Sequence, residues 1–120
     1  MTGHHRSALR GSGISVGDLL ALPVRMHGIH LGRPIDVLLD GDGERVVGFE
    51  LLCGDGAHRF LPFAVADVRE AEIAVGSALT LLDERDLEYY RERTRRLEDL
   101  GLAEPWIDDD GTVREARTAA

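Results

Sequence analysis

Residues 31–53 read LGRPIDVLLDGDGERVVGFELLC, and this stretch decides the fold class of the chain. Apolar side chains recur at every second position before and after residues 40–43, which is the pattern of β-strands with one buried face. Residues 40–43 themselves read DGDG, and Asp and Gly tolerate the positive φ angles that tight hairpin turns need. The stretch therefore predicts two antiparallel strands, Leu31–Leu39 and Arg45–Cys53.

The same kind of spacing continues on both sides of this hairpin. From Gly17 onward, apolar clusters separated by Gly- and Asp-rich turns recur about every eight to twelve residues, which is typical of a small antiparallel barrel or sandwich. Gly48, in the middle of a strand, predicts a bulge or a close approach of backbone. Further short strands are predicted at Pro23–Met26, His58–Leu61, Ala66–Arg69, Glu72–Val75 and Leu79–Leu82. The predicted core comprises Ile35, Val37, Leu39, Val47, Phe49, Leu51, Phe60, Leu61 and Ile73.

The 120 residues divide into four regions around a single domain. Residues 1–13 have no apolar period and are predicted to be a disordered arm. Residues 14–82 carry the strand pattern. Residues 83–101 carry the period of an amphipathic helix, and residues 102–120 are predicted to be an acidic tail with at most one short strand.

The predicted C-terminal helix has an apolar stripe that needs a partner. Asp83 is suited to cap its N-terminus, and the stripe has to cover the outside of a barrel, either its own or that of a second copy. A barrel of this size is marginally stable on its own core, so we expect a homodimer. The candidate interface consists of Leu87, Tyr90, Thr94, Leu97 and Trp106, with Tyr90 and Leu97 as anchors and Trp106 at the rim.

Five segments between Gly17 and Leu82, in this order and spacing, carry a resemblance to the PRC-barrel family. They are Leu31-Gly32, Ile35–Asp40 (IDVLLD), Val46–Phe49 (VVGF), Phe60–Pro62 (FLP) with Val65, and Glu72–Val75 (EIAV). The resemblance covers just over half the chain and implies a small six-stranded antiparallel β-barrel, here with one C-terminal amphipathic helix.

The resemblance also implies a function. PRC-barrels occur in the cytoplasmic part of the photosynthetic reaction centre H subunit, at the C-terminal end of a ribosome-maturation factor and as free-standing small proteins, and in each setting the module looks like a protein-docking unit. This chain resembles the free-standing type. We therefore expect a non-enzymatic interaction module or scaffold that self-associates. One alternative is an accessory factor that binds a ribosomal protein.

The residues that could carry chemistry are few. His27 and His30 lie two residues apart in a predicted turn, but no third or fourth metal ligand stands at a usual spacing. Cys53, the single cysteine, ends a core strand and is expected to be a buried, inert thiol. Asp40-x-Asp42 and Asp108–Asp110 lack the Glu that closes a calcium loop. We expect no metal, no cofactor and no catalytic residue; the remaining alternative is a small-ligand or metal-binding regulator that uses the two histidines and the acidic turns.

Charge argues against nucleic acid as a partner. The net charge is -8, and residues 34–83 carry three Arg against ten acidic residues. Nucleic-acid binding gains free energy when clustered protein cations displace counterions from the phosphates. The net charge of this region is negative, which disfavours such binding. The sequence also contains no apolar run of the length that spans a bilayer, and we expect a cytoplasmic protein without membrane insertion.

Overall fold

Short β-strands dominate the chain. A computed structural model describes residues 13–115; of the predicted disordered arm, only Gly13 falls among them. The strands and helices are β1 (Ile14–Ser15), α1 (Val16–Leu20), β2 (Val24–Met26), β3 (Ile29–Leu39), β4 (Val46–Cys53), β5 (His58–Pro62), β6 (Asp67–Val68), β7 (Ile73–Ala74), α2 (Glu84–Arg93), β8 (Arg95–Arg96), β9 (Pro105–Ile107) and β10 (Val113–Glu115). Single 3-10 turns cover Phe63–Val65, Ala78–Thr80 and Leu97–Leu100.

The main sheet confirms a mostly β fold. Its strands lie in the order β5-β4-β3-β2-β7-β6, with β8 paired to the end of β3. Neighbours are antiparallel except β2 and β7, which are parallel. Within residues 13–115 no backbone pairing joins β6 back to β5, so the expected closed barrel is not found. Pro62, which has no N–H to donate, ends β5, and the chain passes to β6 through the 3-10 turn Phe63–Val65.

A second, three-stranded sheet corrects the prediction for the C-terminal region. Strand β9 pairs with β1 through Ile14 and Ile107, and β10 pairs with β9. Ile107 is fully buried and belongs to the main core. Residues 105–115 are therefore part of the folded body rather than a tail, because they complete a sheet with the first strand.

A short helix near the start of the described chain adds to the single C-terminal helix that we expected. In α1, the Ser15 hydroxyl accepts a hydrogen bond from the Asp18 N–H at 3.1 Å and caps the first turn. Val16 and Leu19 point into the core. Within residues 13–115, no helix is long and apolar enough to cross a bilayer.

Two bulges explain where the predicted core differs from the observed one. In the pairing of β3 with β4, Ile35 on β3 and Val47 on β4 are each an extra residue without an opposite partner. Both side chains are half-buried rather than buried. Six of the predicted residues do belong to the main core, namely Val37, Leu39, Phe49, Leu51, Leu61 and Ile73.

Phe60 is buried but on the other face of the sheet. It lies next to Leu61 in an extended strand, so the two side chains must point in opposite directions. Leu61 pairs with Phe49 and faces the main core, whereas Phe60 packs with Leu38 and Leu87 beneath α2. The sequence prediction that placed both residues in one core was wrong for Phe60.

Gly48 is the site of close approach that the sequence predicted. A Cβ atom at this position would lie 2.7 Å from Phe60 Cε1 and 2.5 Å from the Leu61 carbonyl oxygen. The Phe60 ring also stacks on Tyr90 of α2, with centroids 4.1 Å apart. The glycine therefore gives the ring its place between sheet and helix.

Helix α2 is shorter than predicted. Its N-cap is Asp83, as expected, whose carboxylate accepts from the Asp86 N–H at 3.1 Å. The helix ends at Arg93, and Thr94 is extended, with its hydroxyl donating to the Tyr90 carbonyl at 2.6 Å. The next two residues form β8 against β3. The predicted helix over residues 83–101 is therefore wrong beyond Arg93, because strand pairing replaces the last helical turns.

Candidate functional site

A cleft of about 490 Å³ lies where three segments of the chain meet. The segments are the start of β3, the turn between β4 and β5 with its flanking residues, and the region around the 3-10 turn Ala78–Thr80. The lining residues are His30, Leu31, Cys53, Gly54, Asp55, Arg59, Ala78 and Leu81. Its volume falls within the range of about 300–1,000 Å³ that is usual for binding sites.

An ion pair occupies the polar part of the cleft wall. The Arg59 guanidinium donates to both Asp55 carboxylate oxygens, at 3.2 and 3.1 Å. The same carboxylate accepts from the Ala57 N–H at 3.0 Å. The hydrogen bond from Arg59, followed by that from the Ala57 backbone, lowers the pKa of Asp55 to about 2. The pair is therefore charged on both sides across the physiological range and adds no net charge to the cleft.

The most exposed large apolar side chain of those described lies next to the cleft wall in sequence. Leu79 is 89% exposed, and it lies between Ala78 and Leu81, which line the cleft. The Ser77 hydroxyl accepts from the Leu79 N–H at 3.1 Å, and the Thr80 hydroxyl donates to the Ser77 carbonyl at 2.7 Å. These bonds fix a 3-10 turn over Ala78–Thr80. The predicted strand Leu79–Leu82 is therefore wrong except at Leu82, which forms an isolated antiparallel bridge with Phe60 of β5.

Two more features extend this surface. Ile29, 58% exposed, directly precedes His30 of the cleft wall. A smaller cleft of about 290 Å³ also has Arg59 in its wall, together with Ala57, His58, Asp83, Glu84 and Arg85. Arg59 therefore belongs to the walls of both clefts, and the second is lined mainly by polar and charged residues.

The outer face of the sheet holds a second cluster, formed by two buried carboxylates. Asp36 of β3 and Glu50 of β4 are directly opposite each other, 5% and 6% exposed. Glu50 binds Arg91 of α2 at 2.6 Å and His58 of β5 at 2.7 Å, while Asp36 binds Arg96 of β8. We call these five residues the carboxylate clamp. It ties the segment from α2 to β8 to the sheet.

The arginine is what keeps the buried Glu50 charged. Burial by itself raises the pKa of Glu50, but the hydrogen bonds from Arg91 and then His58 outweigh it, so the pKa lies below the ordinary value of 4.5. The Asp36 carboxylate also accepts from the Val37 N–H at 2.9 Å. Each carboxylate thus has its oxygens occupied by donors of the same chain, which is the arrangement of a structural ion pair rather than of a free acid or base.

Two of the five candidate interface residues are covered by the chain itself. Leu87 is fully buried against Phe60 and Leu38, and Leu97 is buried in the main core. Tyr90 stacks on Phe60, and the hydroxyl of Thr94 is bound to the Tyr90 carbonyl. Trp106 lies in β9, opposite Ser15 and Arg114. The two leucines therefore pack on their own chain, whereas Tyr90, Thr94 and Trp106 are half-buried.

The other predicted residues divide between the cleft and the turns. His27 is exposed in the turn after β2 at a φ of 51°, whereas His30 and the buried thiol of Cys53 line the cleft. Within residues 13–115, no group of three or more His, Cys, Asp or Glu side chains is placed to hold a metal ion.

The acidic turns have internal partners. The Asp40 carboxylate accepts from the Glu44 N–H at 3.1 Å, and that of Asp110 accepts from the Thr112 N–H at 2.9 Å. Asp108 binds Arg114 at 2.8 Å. These carboxylates therefore stabilise the turns in which they lie.

Comparison with known proteins gives no identity. No protein-family model matches the chain, and no curated protein matches it. The function therefore has to be argued from the cleft and the surface around it.

Proposed function

We propose that this chain is a non-enzymatic protein-interaction module, related to the PRC-barrel proteins, and that it binds its partner at the cleft beside Leu79. The observation that carries the proposal is the 89% exposure of Leu79 at the lip of a cleft whose wall contains Leu31 and Leu81. A cytoplasmic location is part of the same proposal, which the single, free cysteine fits.

The energetics of Leu79 favour a docking role. Burying one leucine side chain contributes about 1.5–3 kcal/mol. The hydrogen bonds of Ser77 and Thr80 already fix the turn, so a partner does not have to order it. Ile29 adds a second exposed apolar side chain next to the cleft wall. A single exposed leucine is ordinary on a protein surface. Leu79 differs in that the turn that carries it is ordered and adjoins the cleft wall.

The acidic groups of the cleft wall and of the carboxylate clamp support binding rather than catalysis. Asp55 and Arg59 hold each other through two hydrogen bonds, and Glu50 is held by Arg91 and His58. A general acid or base needs a pKa near the working pH, whereas those of Asp55 and Glu50 are lowered. We expect the Asp55–Arg59 pair to set the orientation of a bound polypeptide through its remaining hydrogen-bonding capacity.

The experiment compares three forms of the immobilised chain in extract of the native cell. Leu79→Asp puts a charge at the proposed anchor, and Val65→Asp is the matched control, because Val65 is 44% exposed and does not line the cleft. We expect a defined set of proteins to be retained by the wild type and by Val65→Asp, and to be lost with Leu79→Asp. Identical sets with all three forms would contradict the proposal. Ribosomal proteins in the lost set would favour the accessory-factor alternative.

A small-ligand regulator is the second candidate, and the volume of the cleft is what favours it. A cleft of about 490 Å³ that contains His30, Arg59 and apolar groups can take a metabolite as well as a side chain. Thermal unfolding in the presence of a panel of metabolites and divalent metal ions tests it. A rise in the melting temperature that is lost in Gly54→Trp would favour this candidate, because Gly54 lines the cleft and an added Cβ there meets no atom within 4 Å.

A further inference from the structure

Leu79 and the cleft make a projection and a recess side by side on one face of the chain. Ala78 and Leu81, the near neighbours of Leu79, are themselves part of the cleft wall. On the opposite side of the recess, space is open beside Gly54. Leu79 is thus separated by no more than two positions in the sequence from two residues of the recess wall.

We propose that the partner at this site is a second copy of the same chain, in a two-fold symmetric pair where Leu79 of each copy enters the cleft of the other. The inference rests on the proposed function, because it uses the same cleft. A two-fold contact brings the same surface of both copies together, so every contact between residue i and residue j occurs twice. When a projection lies next to a recess, the projection of each copy can enter the recess of the other, so both contacts form through this one surface.

The distribution of charge favours self-contact at this face over others. Each copy carries a net charge of -8, so two copies repel each other, and a contact free of like charges adds least to that repulsion. Residues 73–82 (IAVGSALTLL) are the longest run in the chain without an Asp, Glu or Arg, and Leu79 lies within it. The charges in the cleft wall, Asp55 and Arg59, neutralise each other. The apposed faces therefore add no net charge to the contact.

This assignment replaces the helix stripe as the surface between copies. The stripe residues Leu87 and Leu97 are buried within the chain. The homodimer that the chain size predicts would then form through Leu79 and the cleft, at the opposite end of β5 from the 3-10 turn Phe63–Val65.

Sedimentation equilibrium on four variants tests the pair. Leu79→Asp removes the projection, with Val65→Asp as its control. Gly54→Trp fills the recess, and Gly41→Trp is its control, because Gly41 is also exposed, has no atom within 4 Å of an added Cβ and lies in the turn after β3. We expect wild type and both controls to be dimers at about 100 µM, and dimer affinity to fall about 100-fold or more in Leu79→Asp, since two leucines are affected per dimer.

Salt gives a second readout. Because the contact itself is uncharged while the copies repel, raising the NaCl concentration from about 50 to about 500 mM should strengthen the dimer. Weakening by salt would indicate an interface of ion pairs and would contradict the proposal. All five samples are checked by circular dichroism. If Leu79→Asp or Gly54→Trp is not folded, the other of these two variants carries the test.

The outcomes separate the two proposals. A wild type that is monomeric at about 100 µM, or a dimer that survives both Leu79→Asp and Gly54→Trp, overturns the second-copy assignment. If the proteins retained from cell extract still depend on Leu79, the interaction module stands and only the occupant is wrong. If neither measurement depends on Leu79, both proposals fail.

Discussion

Replacing Arg91 by Met probes the carboxylate clamp most sharply. Arg91 donates to Glu50 through Nη2 at 2.6 Å and through Nε at 3.3 Å, and its loss leaves His58 as the remaining side-chain partner seen for that carboxylate. Met is as good a helix former as Arg and keeps much of the aliphatic stem, so the substitution removes chiefly the charge and the hydrogen bonds.

The expected cost is about 2–3 kcal/mol in the free energy of unfolding. Removing one partner of a fully buried ion pair costs about 3–5 kcal/mol, and a hydrogen bond to a charged group contributes about 1.5–3 kcal/mol. Glu50 is 8% exposed at its side chain, but Arg91 is 40% exposed, so water screens part of the interaction and the lower range applies. Arg93→Met is the control, because Arg93 lies on the solvent side of the same helix and stacks on the exposed Tyr89.

The cost should depend on pH in a stated direction. The pKa of Glu50 is lowered in the folded chain, so its contribution to stability is present above the ordinary value of 4.5 and is lost as the pH falls through the lowered folded value. In Arg91→Met, the hydrogen bonds from Arg91 no longer offset the effect of burial, which raises the pKa of Glu50. The pKa of Glu50 should therefore be higher in this variant than in the wild type. The difference between wild type and variant should therefore be largest near pH 7 and shrink toward about pH 3.

Urea unfolding followed by circular dichroism, at several pH values, measures this difference. We expect Arg93→Met to change the free energy of unfolding by less than about 0.5 kcal/mol at any pH. If Arg91→Met lowers the free energy of unfolding by less than about 0.5 kcal/mol, or by the same amount from neutral to acidic pH, Arg91 does not keep Glu50 charged and does not hold α2 on the sheet.

Three further predictions concern the core and the charge of the chain. Gly48→Ala should destabilise the fold by about 1–3 kcal/mol in urea unfolding, because the new Cβ meets the Leu61 carbonyl and the Phe60 ring; a neutral result would mean that the ring can move freely. Phe49→Ala should lower the free energy of unfolding by about 3–5 kcal/mol, since Phe49 is fully buried and packs edge to face on Phe63, with ring centroids 6.1 Å apart. A loss under about 1 kcal/mol would mean that Phe49 does not face the main core. Fluorescence titration at physiological salt should detect no binding to RNA or duplex DNA, and salt-sensitive binding at low micromolar concentration would contradict the charge argument.

Local patterns predicted the parts of the fold that local interactions determine. The hairpin of β3 and β4 follows from the alternation of apolar residues on both sides of residues 40–43, where the Asp40 carboxylate accepts from backbone N–H groups. The N-cap at Asp83 follows from its carboxylate and the periodic run behind it. In both cases the residues that decide the structure lie within a few positions of each other.

Partners distant in sequence explain the errors. Thr94 ends α2 because β8 pairs with β3 and Arg96 reaches Asp36, a residue 60 positions away. The bulges at Ile35 and Val47 depend on how two strands fit together, and a period-two pattern contains no information about that fit. Trp106 is followed by acidic residues that suggest a tail, yet its strand finds a partner at the other end of the described chain.

The candidate site was only partly predictable for a similar reason. His30 and Cys53 were singled out from the sequence, but as isolated residues rather than as walls of one cleft. Leu79 was placed in a strand because it lies in an apolar run. The signal that could have corrected this is Ser77, since a serine two residues before an apolar position can accept its N–H and start a turn.

The most direct test of the cleft as the contact between two copies is amide hydrogen exchange of the wild type at low and at high protein concentration. The account predicts that exchange slows with concentration at Gly54 to Ala57 and at Leu79 to Leu81, the two segments on either side of the cleft, while the exposed face of α2 around Tyr89 is unchanged. Slower exchange confined to α2, or no change in these two segments at any concentration, would contradict it.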